Sequence, residues 1–201
     1  MPDITSSWSL LAVVAGLAYL LGAVPFGIVM ARLFGLGDLR KIGSGNIGAT
    51  NVLRTGNKLA AFLTVVLDAG KGGIAVLIAR YTVGEDAAQI AGLCAFLGHL
   101  FPVYLGFKGG KGVATFLGTL LALAWPVGLL ACAAWLICAV ISRYSSLSAL
   151  VSAAVSPIFM VYTGNGSMLV LGLVLTFLIY VRHWENIQRL KAGTETKIGK
   201  K

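Results

Sequence analysis

Acidic side chains are scarce in this chain of 201 residues: Asp and Glu together number 7, and charged residues of either sign make up 11%. An average soluble domain carries about 25%. With 58% of residues hydrophobic, the chain reads as an integral membrane protein whose length suits one bundle. The few acids are scattered, so no cluster offers the oxygen ligands of a Mg²⁺ site. The two histidines, His99 and His183, are too few for zinc without help. No metal and no cofactor is expected. The three cysteines, Cys94, Cys132 and Cys138, lie in apolar stretches without metal-ligand spacing. They read as small hydrophobes and imply no disulfide framework.

Missing motifs narrow the chemistry further. Gly43 to Gly48 has the spacing of a P-loop, but Ala49 stands where lysine is required. No G-x-S-x-G elbow occurs. The residues five positions after His99 and His183 are Tyr104 and Gln188. The His-to-Asp spacing that marks many thioester-using glycerolipid acyltransferases is therefore missing. No cleavable signal peptide is expected either: the first residues carry Asp3 but no Lys or Arg, and the apolar run from Trp8 outlasts an h-region of ~7–15 residues.

Positive charge and glycine are what the chain has in plenty, with 16 Lys and Arg, a net charge of +9 and 26 glycines. In a soluble protein that charge would suggest nucleic acid. Here basic loops facing anionic lipid explain it better, so no nucleic-acid partner is expected. The same excess can serve an anionic substrate.

Residues 8–31 carry no charge and suffice for a first span of ~20 residues, kinked at Pro25 and Gly27. Arg32, Arg40, Lys41, Arg54 and Lys58 follow. The positive-inside rule places that loop in the cytoplasm and the N-terminus outside. Residues 59–79 form a second span containing Asp68 and Lys71 at i, i+3, either a structural ion pair or part of a site. Residues 80–86 read as a short external loop and 87–107 as a third span. The uncharged stretch 112–142 is too long for one span and short for two. A hairpin of short helices turning at Trp125-Pro126 keeps Lys111 and Arg143 on the same side; one long tilted helix is the alternative. Residues 145–162 and 168–181 form two more spans around the turn Gly164-Asn165-Gly166. The expectation is an all-α bundle of about seven transmembrane helices, some short, with five or six also possible and the C-terminus cytoplasmic.

This topology gathers residues 44–54, 108–115, 145–148 and 183–186 on one face. A carrier should instead show polar groups near the midplane, where only Asp68 and Lys71 qualify. Arg54 and Lys111 supply fixed positive charge suited to phosphate. Backbone amides at Gly43, Gly45 and Gly48, and at Gly110 and Gly112, offer donors. Ser44, Asn46, Thr50, Asn51, Thr115 and Asn186 offer neutral hydrogen bonds. Lys108 either joins them or anchors at the headgroups, and Ser148 either caps a helix or joins the site. The runs Gly45-x-x-Gly48-Ala49-Thr50 and Gly110-x-Gly112-x-Ala114-Thr115 resemble each other. Each is expected to open a helix toward an anion, giving two phosphate sites. Two rival readings are a transporter of a phosphorylated solute and a non-catalytic lipid-binding scaffold.

The stretches Ser44-Gly45-Asn46-Ile47-Gly48-Ala49-Thr50-Asn51-Val52 with Arg54, and Gly98-His99 leading to Phe107-Lys108-Gly109-Gly110-Lys111-Gly112-Val113-Ala114-Thr115, carry a family resemblance. So do Leu67-Asp68-x-x-Lys71-Gly72, Arg143-Tyr144-Ser145-Ser146-Leu147-Ser148 and Arg182-His183-x-x-Asn186-Ile187. The chain resembles the bacterial acyl-phosphate:glycerol-3-phosphate acyltransferases over nearly its whole length. The resemblance implies a single acyltransferase domain, residues 1–201, in the bacterial inner membrane; the positive-inside topology puts its site at the cytoplasmic face, and a monomer is expected. It implies acyl phosphate and glycerol 3-phosphate as substrates, lysophosphatidic acid and phosphate as products, and no acyl thioester as donor. The substrate-contacting residues it implies are Ser44, Arg54, Lys111, His183 and Asn186. The proton acceptor is open between His183 and the acceptor's own phosphate.

Overall fold

A computed structural model describes residues 2–199, and among them the chain forms ten α-helices and no strand. They are α1 (Trp8–Gly22), α2 (Phe26–Leu33), α3 (Ala49–Leu53), α4 (Lys58–Thr82), α5 (Glu85–Leu100), α6 (Val113–Leu123), α7 (Trp125–Ser142), α8 (Ser145–Tyr162), α9 (Leu169–Arg182) and α10 (Trp184–Lys191). Five segments are long and apolar enough to cross a membrane, and α9 with α10, bent by 61°, makes a sixth candidate. Helix α6 is the seventh apolar piece of the expected bundle. Its 11 residues rise only ~16 Å, about half the hydrocarbon thickness.

The helix boundaries have local causes. Ser7 caps α1 and Asn57 caps α4, each side chain accepting a backbone N–H from the first turn. The expected kink in the first span is a full break: proline removes an N–H at position 25, and α2 restarts at Phe26. The expected hairpin turns at Ala124, with Pro126 in the first turn of α7, where a missing N–H costs nothing. The expected loop at 80–86 shrinks to Val83 and Gly84, because α4 runs on to Thr82 and α5 begins at Glu85. Arg80 explains the difference. It pairs with both Glu85 oxygens at 2.8 and 2.9 Å and donates to the terminal carbonyls of α6 at Ala122 and Leu123. A charge taken for a loop marker is instead a helix-end clamp.

Between helices in lipid there is little hydrophobic driving force, so close backbone approach does the packing. Gly98 of α5 lies against the α1 backbone, where an added methyl would sit 2.7 Å from the Ala23 nitrogen. Gly118 of α6 lies against Ala69 of α4 in the same way, at 2.8 Å from its Cα. These contacts hold α1 on α5 and α6 on α4. Phe96, Phe116, Leu120, Val127, Met160 and Leu175 fill the core between α5, α6, α7, α8 and α9. Large apolar side chains such as Phe62, Ile141 and Phe177 point outward, as lipid-facing groups do.

Helix α8 contains Pro157, which cannot donate to the carbonyl of Ala153. That carbonyl accepts the hydroxyls of Ser156 at 2.9 Å and of Thr176, from α9, at 2.8 Å. The freed backbone group is satisfied inside the bundle, the condition for a proline in a spanning helix.

Candidate active site

One cavity of about 870 Å³ opens at the end of the bundle where α3, α6, α8 and α10 meet. Ser44, Arg54, Lys111, His183 and Asn186 all line it, as do Gly43, Asn46, Gly48, Thr50, Asn51 and Gly112. The apolar side chains of Leu53, Val65, Leu117 and Trp135 line the same cavity. Polar and apolar residues therefore share one cavity.

Both glycine runs open a helix. Gly48 precedes α3, and Gly112, with φ +81, precedes α6. Gly43 has φ +52 and is pressed between Arg54 and Asn51; a methyl there would come within 2.6 Å of Arg54 Cδ. Asn51 is the organiser of this loop. Its Oδ1 accepts Ser44 N at 3.2 Å and Arg54 Nη1 at 3.4 Å, while its Nδ2 donates to Leu39 O at 2.8 Å.

Two of the five expected glycine amides, those of Gly45 and Gly110, are already bonded within the chain. Ser44 N bonds Asn51 Oδ1 and Gly45 N bonds Ile42 O. In the second loop Gly109 N bonds Leu100 O and Gly110 N bonds His99 O. Backbone donors left buried and unpaired are costly, so tight loops consume their own. Arg182 fixes the second loop, donating to Gly109 O and Gly110 O at 3.1 Å each.

Five of the expected ligand residues lie outside the cavity lining. Gly45 backs onto Arg40 O, and Gly110 packs against the His99 ring. Lys108 is exposed, and its carbonyl accepts Arg40 Nη2 at 2.7 Å. Thr115 is fully buried and donates to Asp68 O at 2.9 Å; Ser148 is fully buried and donates to Tyr144 O at 2.7 Å. Both hydroxyls donate within the bundle.

Lys111 Nζ donates to Asn186 Oδ1. Burial, reinforced by the positive charge of Arg189, brings the Lys111 pKa down to about 8. His183 is 3% exposed, and its Nδ1 lies 2.8 Å from Ile179 O. A carbonyl can only accept, so Nδ1 carries the proton and Nε2 presents its lone pair. Burial dominates the His183 environment and lowers its pKa to about 4 despite that bond. The ring is neutral at physiological pH.

The sequence reading missed the end of the chain. Glu195 stands in a stretch taken for a basic tail, yet its carboxylate is 7% exposed. It accepts Ser146 Oγ at 2.7 Å, Asn186 Nδ2 at 2.6 Å and Arg189 Nε at 2.7 Å. Thr196 accepts Arg54 Nη2 at 2.5 Å. Burial works to raise the Glu195 pKa, but the hydrogen bonds from Ser146, Arg189 and Asn186 outweigh it and hold the carboxyl below its usual range. The available signal was a lone acid among lysines. Glu195→Ala leaves three donors unpaired and is expected to lower stability by roughly 1–3 kcal/mol, with Glu195→Gln costing less. Thermal unfolding in detergent measures both; equal midpoints for all three proteins would refute the tie.

The model of the family described as "Glycerol-3-phosphate acyltransferase" matches residues 12–193. A relative of that name from Jannaschia sp. (strain CCS1) is 68% identical over 200 residues, covering 100% of this chain and 98% of its own. Another from Cereibacter sphaeroides (strain ATCC 17025 / ATH 2.4.3) is 65% identical over 201 residues, covering 100% and 96%. Among solved structures, the glycerol 3-phosphate form of PlsY (YgiH), an integral membrane glycerol 3-phosphate acyltransferase, superposes with TM-score 0.89 at 42% identity, covering 94% of this chain and 96% of that one. The lysophosphatidic acid form gives 0.87 at 41% identity, covering 94% and 95%. This chain is an integral membrane protein of the glycerol-3-phosphate acyltransferase family.

Proposed function

We propose that this protein transfers a fatty acyl group from acyl phosphate to the primary hydroxyl of glycerol 3-phosphate, releasing lysophosphatidic acid and inorganic phosphate. The carrying observation is one cavity lined by Arg54 and Lys111 and also by the apolar Leu53, Val65, Leu117 and Trp135. Two phosphates repel each other, and two fixed cations on the walls offset that repulsion. The acyl chain lies against these four side chains, where each buried methylene contributes about 0.8 kcal/mol.

An acyl phosphate is a mixed anhydride with a good leaving group, so no covalent enzyme intermediate is required. The glycerol oxygen attacks the acyl carbonyl carbon. The new C–O bond forms, the bond to the phosphate oxygen breaks, and that oxygen leaves with the electron pair. Lys111 and Arg54 stabilise the charge that develops on it. Ser44 and Asn186 orient the acceptor, and Nε2 of His183 takes the hydroxyl proton, which the departing phosphate can then receive. The protein acts as a single-domain monomer with the cavity facing the cytoplasm of a bacterial inner membrane.

Two titrations bound the active form. His183 must be neutral to accept a proton, which holds above about 4. Lys111 must be charged, and its charge is lost as pH rises through about 8. The expected pH profile of kcat/KM is a bell with limbs near those values. A flat profile through pH 9 would sink the assignment of Lys111. The reaction itself is tested by phosphate release from acyl phosphate and glycerol 3-phosphate in detergent, where no membrane separates compartments. Release that depends on both substrates excludes a transporter, and activity unaffected by a chelator excludes a divalent metal requirement.

A further inference from the structure

The buried cluster of Asp68, Lys71 and His99 has no part in the chemistry above. Asp68 and Lys71 lie one turn apart on α4 with Oδ1 and Nζ 2.8 Å apart. Lys71 Nζ also reaches Val24 O at 2.8 Å, at the break between α1 and α2, and His99 Nδ1 at 2.9 Å. Asp68 Oδ1 is farther from that nitrogen, at 3.5 Å. An ammonium has donors and no acceptor, so His99 Nδ1 accepts from Lys71 and the ring proton sits on Nε2.

Nε2 is on the opposite edge of the ring. That edge faces Gly110, whose Cα leaves no room for a methyl beside Nε2. His99 lines the same cavity as Lys111, and no described residue accepts a hydrogen bond from its Nε2. The amides of Gly109 and Gly110, the donors a glycine loop would ordinarily offer, are bonded to Leu100 O and His99 O. The ring thus stands beside the two loop amides that are already consumed.

We propose that His99 is a further substrate-contacting residue: its Nε2–H, fixed by Lys71 at Nδ1, donates to a phosphate oxygen of the ligand seated against the Gly109–Lys111 loop. Asp68 and Lys71 are positioning residues that set the ring's tautomer. The inference rests on the acyl-transfer reading for its substrates, but the contact itself is to phosphate, from either acyl phosphate or glycerol 3-phosphate.

Two substitutions of similar chemistry and different reach test it. The amide of Gln extends to the Nε2 position, whereas that of Asn stops at Nδ1. In the full-length protein in detergent, His99→Gln is expected to stay within about threefold of wild type, while His99→Asn loses a charge-assisted bond worth about tenfold or more. The loss appears in the KM of whichever substrate carries the contacted phosphate, and calorimetric binding of inorganic phosphate and of glycerol 3-phosphate weakens in parallel. Binding needs no turnover, so an inactive wild type would fail the acyl-transfer reading while calorimetry still decides on His99. Unchanged phosphate affinity in His99→Asn, or equal impairment of both variants with lowered unfolding midpoints, overturns the contact.

Discussion

Lys111→Met is expected to lower kcat/KM for acyl transfer by about a thousandfold, the scale of losing a preorganised charge aimed at a developing anion. Methionine keeps most of the stem and its packing, so the change isolates the ammonium. The Lys111 charge is only half-buried in the free enzyme, and its pKa of about 8 reports a desolvated cation without a dedicated counter-ion. Such a charge interacts strongly with an incoming phosphate. Asn186 also loses the donor to its Oδ1, so acceptor orientation suffers with electrostatics. Lys111→Arg keeps the charge but changes its shape, and recovers part of the activity with the alkaline limb moved upward. Phosphate release measures both variants. A loss below tenfold in Lys111→Met would remove Lys111 from the chemistry.

His183→Ala is expected to reduce kcat by about 10²–10⁴, the range for removing a positioned general base. The geometry fixes the sense of the proton transfer. Nδ1 is committed to Ile179 O, burial keeps the ring neutral, and Nε2 is the available acceptor. The acid limb of the pH profile should vanish with the ring. His183→Asn restores the bond to Ile179 but not the base, so it separates positioning from proton transfer. If His183→Ala folds and loses less than tenfold, the acceptor's own phosphate takes the proton.

The residues that proved legible in the sequence are those whose chemistry contradicts their surroundings. Arg54 and Lys111 stand in glycine-dense loops of an otherwise apolar chain, and both line the cavity. Pro25 and Pro126 announce breaks because a missing N–H is a local fact. Thr115 and Ser148 donate to carbonyls of the bundle, a choice of partner that a hydroxyl in a motif does not show. The amides of Gly45 and Gly110 show the same limit: glycine permits close approach but does not say which partner has already taken the N–H. Glu195 was passed over because its three donors come from α8 and α10, and nothing within the tail marks it as buried.

Hydropathy and length, set against the thickness of a bilayer, were enough for the class of fold, the order of the apolar segments and the two glycine loops. Each of these follows from a run of neighbouring residues. Only the tertiary structure decided which donors remain free, that His99 meets Gly110 across two segments, and that the chain's end closes the wall beside Arg54. Those outcomes depend on distances between helices. Such distances are set by close contacts like those of Gly98 and Gly118, where a single methyl would move one helix away from another.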